Sequence, residues 1–294
     1  MSDKYRDAIA ASGVIADDAA VKAAVDKILS EHLEENKTQD VYRKMFNCID
    51  LTTLKSTDSP DSVAQFTKRV NDFEEEHPEL PNVAAICVYP VFAEVVRQVL
   101  EVSQVNIACV SAGFPSSQTF PEVKIAETAL AVGAGADEID IVMNLGLFLD
   151  GDYEELCDEM EEIKHSCRRA RLKVIIESGA LKTAENIRAA SILSLYSGAD
   201  FLKTSTGKEY PGASLEAAYV MCQCIKEYFD KTGRMVGFKA AGGVASTEDA
   251  VKYYTIVKEV LGDGWLDNEY FRIGASRLAN NLLSDILVTE TKFF

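Results

Sequence analysis

The run Asp137-Glu138-Ile139-Asp140-Ile141-Val142 alternates carboxylate and isoleucine. Successive side chains of a strand point to opposite faces, so Ile139 and Ile141 share one face and Glu138 and Asp140 the other. Working outward, β-branched or aliphatic runs recur at 47–51, 83–88, 106–110, 138–142, 172–177, 201–204, 236–240 and 271–274, and a helical pattern follows each. Their starts lie 23 to 36 residues apart, the scale of one βα unit. Ser59-Pro60, Thr183 with Glu185, and Ser246-Thr247 with Glu248 read as helix starts. Eight such units predict one α/β domain closed as a (β/α)8 TIM barrel over 41–294. Residues 1–40 are Ala-rich, carry Lys, Glu and Asp, and show no strand pattern, which predicts an N-terminal helical extension.

The chain has 294 residues, and 30 Lys plus Arg against 47 Asp plus Glu give a net charge of −17. That field repels nucleic acid and anionic membranes, yet a local cluster of donors can still hold a small phosphorylated ligand. The seven cysteines are odd in number and form no CxxC pair, so reduced thiols in a cytoplasmic protein are expected. Cys222 and Cys224 would point apart on a helix and read as packing, as does Cys87, which could alternatively border a site. The acidic N-terminus lacks the apolar core of a signal peptide, and no run of 18 apolar residues exists.

In a barrel wrapped by helices both strand faces are buried, so charge at the lumen parity needs a reason. Glu138 and Asp140 fall there, as do Lys173, Ile175 and Glu177, then Phe201 and Lys203, then Gly237 and Lys239. Buried charges cost several kcal/mol each, of order, unless paired. For Lys173 and Glu138 a structural ion pair stands beside a functional role. For Lys203 and Lys239 the structural reading is weaker, because adjacent ammonium groups repel and both lie near C-terminal strand ends, where barrel active sites form. A desolvated lysine beside another cation loses its proton more easily, and the free amine attacks aldehydes to form a Schiff base. Asp140 is the candidate acid/base by parity. The loops Lys203-Thr204-Ser205-Thr206-Gly207-Lys208, Ala241-Gly242-Gly243-Val244 and Gly274-Ala275-Ser276 are suited to cradle an anion.

Across residues 46–287 the chain resembles deoxyribose-phosphate aldolase. IDLTTL at 49–54, AAICVYP at 84–90, VSAGFPSSQT at 110–119 and ADEIDIV at 136–142 carry the likeness. LKVIIESGAL at 172–181, KTSTGK at 203–208, GFKAAGGV at 237–244 and FRIGAS at 271–276 complete it. The resemblance implies a class I aldolase that interconverts 2-deoxy-D-ribose 5-phosphate with D-glyceraldehyde 3-phosphate and acetaldehyde, without a metal or organic cofactor. It implies Lys203 as the Schiff-base lysine, Lys239 as its perturbing neighbour and Asp140 as acid/base. Asp50 and Lys173 match supporting polar residues of the lumen and substrate site. Thr206, Gly207, Lys208, Gly242, Gly243, Gly274 and Ser276 match substrate or phosphate contacts. The implied partners are a small sugar phosphate and an aldehyde, with a homo-oligomer, a dimer favoured, as the assembly.

The chain departs from the family's usual pattern at Ala240, Ala245 and Arg277, and Arg277 is expected to supply a phosphate charge that position 245 lacks. Some members use a C-terminal tyrosine in proton transfer, whereas this sequence reads Thr291-Lys292-Phe293-Phe294. Three rival readings remain. A metal-dependent aldolase needs clustered ligands at strand ends, but His32, His77 and His165 all fall in helical or helix-end segments. A transaldolase or sugar isomerase would share the phosphate loops, and a non-catalytic binding barrel would not need Lys203 and Asp140 together.

Overall fold

A computed structural model describes residues 4–294. Among the described residues, eight parallel strands close in the order β1 to β8, with β8 paired back to β1. They are β1 Ile49–Thr52, β2 Ala85–Val88, β3 Asn106–Ser111, β4 Glu138–Val142, β5 Arg171–Ile175, β6 Phe201–Lys203, β7 Gly237–Ala241 and β8 Phe271–Ala275. The fold is a (β/α)8 TIM barrel. Every expected strand is present, displaced by no more than two residues at its start.

The helices preceding the barrel are α1 Lys4–Ala10, α2 Asp18–His32 and α3 Gln39–Asn47. Those around it are α4 Pro60–Glu76, α5 Ala93–Val99, α6 Pro121–Gly133, α7 Leu145–Asp150, α8 Tyr153–Cys167, α9 Ser178–Leu181, α10 Ala184–Tyr196, α11 Leu215–Thr232, α12 Thr247–Leu261 and α13 Leu278–Leu287. The predicted starts are real caps. Ser59 and Ser62 form a reciprocal capping box ahead of α4, and Thr183 and Ser246 accept from the third residues of α10 and α12.

The expected helical segment 1–40 is broken, and its residues 1–3 lie outside the described ones. Residues 11–17 are non-helical, and Asp17 caps the fresh start of α2 by accepting from Ala20 N–H. Helix α3 crosses residue 40, so the extension enters the barrel through a helix. The extension lies against α10, α11 and α12, the helices neighbouring β6 and β7. Arg188 donates to the Val14 carbonyl, Asp18 accepts from Ala184 N–H at 2.8 Å, and buried Asn36 donates to Thr255.

Core packing follows the strand alternation. Outward-facing Ile139, Ile141, Leu172, Val174, Leu202, Phe238 and Ile273 are buried under the helices. The lumen divides in two. Ala85, Cys87, Ala108 and Val110 make an apolar wall from β2 and β3. Strands β4 to β8 and β1 line the rest with charge and Phe201, whose ring occupies the space a Cβ at Gly237 would need. All seven cysteines are free and buried.

Candidate active site

Strand register brings the charges of distant segments into one lumen. Asp140 pairs with Lys173, Lys203 with Lys239, and Lys239 with Arg272. Asp140 Oδ2 accepts from both Lys203 Nζ and Lys239 Nζ, each at 2.7 Å, so the two nitrogens lie within twice that distance of each other. Asp140 Oδ1 accepts from Lys173 Nζ at 2.9 Å. Lys173 also donates to Glu138 at 2.5 Å, and Lys239 donates to Asp50. Arg272 closes the network from below, reaching Asp50 at 2.6 Å and Glu138 at 2.8 Å.

Among the described residues, this network holds three carboxylates, Asp50, Glu138 and Asp140, and four potential cations, Lys173, Lys203, Lys239 and Arg272. None is more than 4% exposed. Full ionisation would leave one uncompensated positive charge in a low-dielectric interior, which is costly. Burial alone would push the carboxyls up. The surrounding cations outweigh it, Lys239 and Lys173 at Asp50 and Lys173 and Lys203 at Asp140, and hold both well below the usual carboxylate range. Carboxylate contacts likewise overcome burial at Lys173 and Lys239 and raise both.

Lys203 behaves differently. It touches a single carboxylate, and burial first, then the Lys239 charge, outweigh Asp140 and lower it. Desolvation therefore outranks the neighbouring ammonium, which the sequence suggests as the leading cause. The charge count points the same way: the network balances when one ammonium lacks its proton, and Lys203 has the fewest carboxylate contacts.

Above the network lies a cavity of 290 Å³ lined by Thr52–Lys55, Lys203, the 206–208 and 241–245 segments and 274–277. Thr206, Gly207, Lys208, Gly242, Gly243, Gly274 and Ser276 all border it. Gly242 and Gly243 have φ near +86° and +87°, conformations that a side chain would strain. Lys208 Nζ donates to the Leu54 carbonyl at 2.6 Å and ties the 203–208 loop to the loop after β1. Helix α13 starts beside Arg277 without a side-chain cap, so its first amides are open to an anion. Lys55, Lys208 and Arg277 put three cations around this end.

Asp50 and Lys173, expected at the substrate, are fully buried and do not line the cavity. They contact the charges beneath Lys203 because their strand positions are deeper in the barrel. Lys239 and Asp140 also lie below the lining, and of the lumen charges Lys203 alone borders the cavity among the described residues. Glu177, read as a lumen residue of β5, lies beyond that strand in a left-handed turn with φ +51°. Its carboxylate accepts from Thr206 Oγ1 at 2.6 Å and from Thr206 N–H at 3.2 Å, and burial raises it. Cys87 stands in the lumen wall, its thiol raised by burial near Lys239, Asp140 and Lys203.

Sequence reading missed Arg272 and Lys55. Arg272 shares lumen parity with Gly274, a signal as clear as that of Lys239; Lys55 follows the IDLTTL motif in an irregular loop with no periodicity to mark it. The histidines lie elsewhere: His32 is near Glu35 and Glu259 on the outer surface, His77 packs in a tilted contact against Phe73, and His165 is exposed. Phe293 and Phe294 pack on Phe73 at the C-terminal end of α4, the end of the barrel away from the cavity.

A family model for DeoC/LacD family aldolases matches residues 44–259. The chain belongs to the DeoC/LacD aldolase family. This aldolase is 41% identical over 253 residues to the deoxyribose-phosphate aldolase of Homo sapiens, covering 83% of this chain and 78% of that protein. It is 39% identical over 253 residues to the enzyme of the same name from Bos taurus, with the same coverage. A solved structure described as a tetrameric deoxyribose phosphate aldolase from Aeropyrum pernix superposes with a TM-score of 0.65. That pair shares 24% identity, over 89% of this chain and 98% of the other, and shows the common fold. No helix of the described aldolase is long and apolar enough to cross a membrane.

Proposed function

We propose that this aldolase cleaves 2-deoxy-D-ribose 5-phosphate reversibly to D-glyceraldehyde 3-phosphate and acetaldehyde through a Schiff base on Lys203. The reading is carried by one observation: the lumen lysine that touches a single carboxylate, Lys203, is also the one that borders the cavity. The names of the human and bovine relatives support the substrate.

Lys203 Nζ attacks C1 of the open-chain sugar, and loss of water, aided by Asp140, gives the iminium. The C3 hydroxyl then loses its proton through a water held by Asp140 or Lys208, and the C2–C3 electrons flow into the iminium. D-glyceraldehyde 3-phosphate leaves. Protonation of the enamine at C2 and addition of water release acetaldehyde and restore the amine. Gly207, Gly242, Gly243, Gly274, Ser276 and the first amides of α13 hold the phosphate, with Arg277 and Lys208 as its cations. The scheme uses no metal or organic cofactor.

Borohydride reduction in the presence of acetaldehyde, followed by mass spectrometry, tests the assignment. A stable two-carbon adduct on Lys203 within peptide 201–208 supports it, and an adduct on another lysine moves the nucleophile. A panel of unphosphorylated and longer-chain sugars separates this reaction from that of a transaldolase. The free, buried cysteines support a reducing, cytoplasmic compartment, and sedimentation tests the proposed homodimer.

A further inference from the structure

Arg272 is fully buried in the lumen and does not line the cavity. Its Nη1 donates to Asp50 Oδ1 at 2.6 Å and Glu138 Oε2 at 3.1 Å, its Nη2 to Glu138 Oε1 at 2.8 Å, and its Nε to the Asn268 carbonyl. Glu138 further accepts from Lys173 and, at 3.1 Å, from Asn106. Barrel lumens are ordinarily filled by layers of branched aliphatic side chains. A buried ion pair is weak evidence of stabilisation, because apolar residues of similar volume often serve as well. Packing therefore gives no reason for a guanidinium at this depth.

The charge count gives one. Without Arg272, the three carboxylates would face Lys173, Lys239 and Lys203, and the network would be neutral with Lys203 protonated. With Arg272 it is neutral only when one ammonium has lost its proton. A guanidinium does not deprotonate in proteins. Lys173 touches Glu138 and Asp140, and Lys239 touches Asp50 and Asp140, whereas Lys203 touches Asp140 alone. The deficit falls on the amine with fewest anionic contacts.

We propose that Arg272 is a positioning residue whose permanent charge, acting through Asp50 and Lys239, keeps the Lys203 amine free of its proton, with Glu138 as the opposing weight. The proposal rests on Lys203 being the reacting amine. The ionisable groups facing Lys203 come from every side: Asp50 on β1, Cys87 on β2, Asp140 on β4, Lys173 on β5, Glu177 in the following turn, Lys239 on β7 and Arg272 on β8. No single substitution isolates one of them, but a pair of opposite sign does. Removing one cation and one anion from the lower layer leaves the total unchanged.

The test titrates the Lys203 amine by trace acetylation with acetic anhydride across pH, with site-resolved mass spectrometry. This readout needs no aldolase activity. Arg272→Met raises the midpoint by about one pH unit, Glu138→Gln lowers it by about as much, and the double variant returns to within about half a unit of the parent. A midpoint unmoved in the nearly isosteric Glu138→Gln protein, or a double variant displaced like either single one, overturns the proposal. If Arg272→Met does not fold, Arg272→Gln takes its place in both the single and the double variant, with the same expected midpoints. Acetaldehyde trapping on the parent protein is run alongside. Its failure at Lys203 would sink the Schiff-base reading, while the acetylation midpoints would still judge the charge count.

Discussion

Replacing Lys239 with Met tests the electrostatics of the site most directly. The two ammonium nitrogens share Asp140 Oδ2, each 2.7 Å from it. At a separation of about 5 Å and an effective dielectric near 20, two unit charges repel by about 3 kcal/mol, or about 2 pH units. Removing Lys239 also leaves three carboxylates facing Lys173, Arg272 and Lys203, so neutrality now favours a protonated Lys203. Both arguments raise the Lys203 midpoint. Burial still acts against it and keeps the rise from exceeding the repulsion lost. For a parent amine about half free at pH 7, a rise of about 2 units leaves about 1% free, a fall of about 50-fold. The assay is the single-turnover rate of acetaldehyde trapping by cyanoborohydride from pH 5 to 10, with circular dichroism to show that the variant is folded. The expected profile keeps its high-pH plateau within a few fold and moves its midpoint upward. A folded variant whose midpoint stays within half a unit of the parent's, or moves down, would refute the reasoning.

Arg277→Ala should raise KM for 2-deoxy-D-ribose 5-phosphate about 10-fold while leaving turnover of unphosphorylated 2-deoxyribose nearly unchanged, since a rim charge near an anion contributes on the order of 1–2 kcal/mol; steady-state kinetics with both sugars check it. Lys124→Met should lower stability by about 3–5 kcal/mol in urea unfolding, because Glu159, which Lys124 meets at 2.8 Å between α6 and α8, would remain buried and unpaired. Acid should act through the lumen. Asp50, Glu138 and Asp140 are held below their ordinary values when folded, so they bind fewer protons folded than unfolded. Their stabilisation is complete above about pH 5 and is lost as pH falls through about 4 toward the depressed folded values. Urea midpoints measured from pH 7 down to 3 should stay level and then decline, and a flat curve to pH 3 would count against these shifts.

Most of the barrel is legible from strand alternation, because both faces of a closed parallel sheet are buried and any charge inside must announce itself. Lys173, Lys203, Lys239, Glu138 and Asp140 do so. Glu177 shows the limit of that logic: parity continues in sequence after the strand has ended, and a left-handed turn sends the side chain to Thr206. The break within the helical extension is hidden for a related reason. Ala-rich composition favours helix throughout, but the break before α2 depends on tertiary contacts, with Glu227 accepting from Gly13 N–H at 2.9 Å. Depth along the lumen was also hidden. Alternation says which face a residue takes, whereas closure and register determine whether it reaches the cavity, and those come from pairing across eight strands.

That difference in depth organises the chemistry. The upper end of the barrel offers the Lys203 amine, a glycine-lined pocket and cations at the rim; of the charges below, Asp140 meets that amine at 2.7 Å and none lines the cavity. If the lower charges served substrate binding, their place beneath Lys203 would be wasted. If they served only packing, aliphatic residues would fill the space without the desolvation penalty of seven ionisable groups. The arrangement makes sense when their role is to decide the protonation of one nitrogen. A closed barrel suits this, because it excludes water from beneath the lysine, so that charges several ångströms away are felt with little screening. An open sheet would admit solvent between the same residues and let each titrate nearly independently. The fold thus contributes to reactivity through its closure, and the charge on Lys203 becomes a property of the whole lumen rather than of its nearest neighbour.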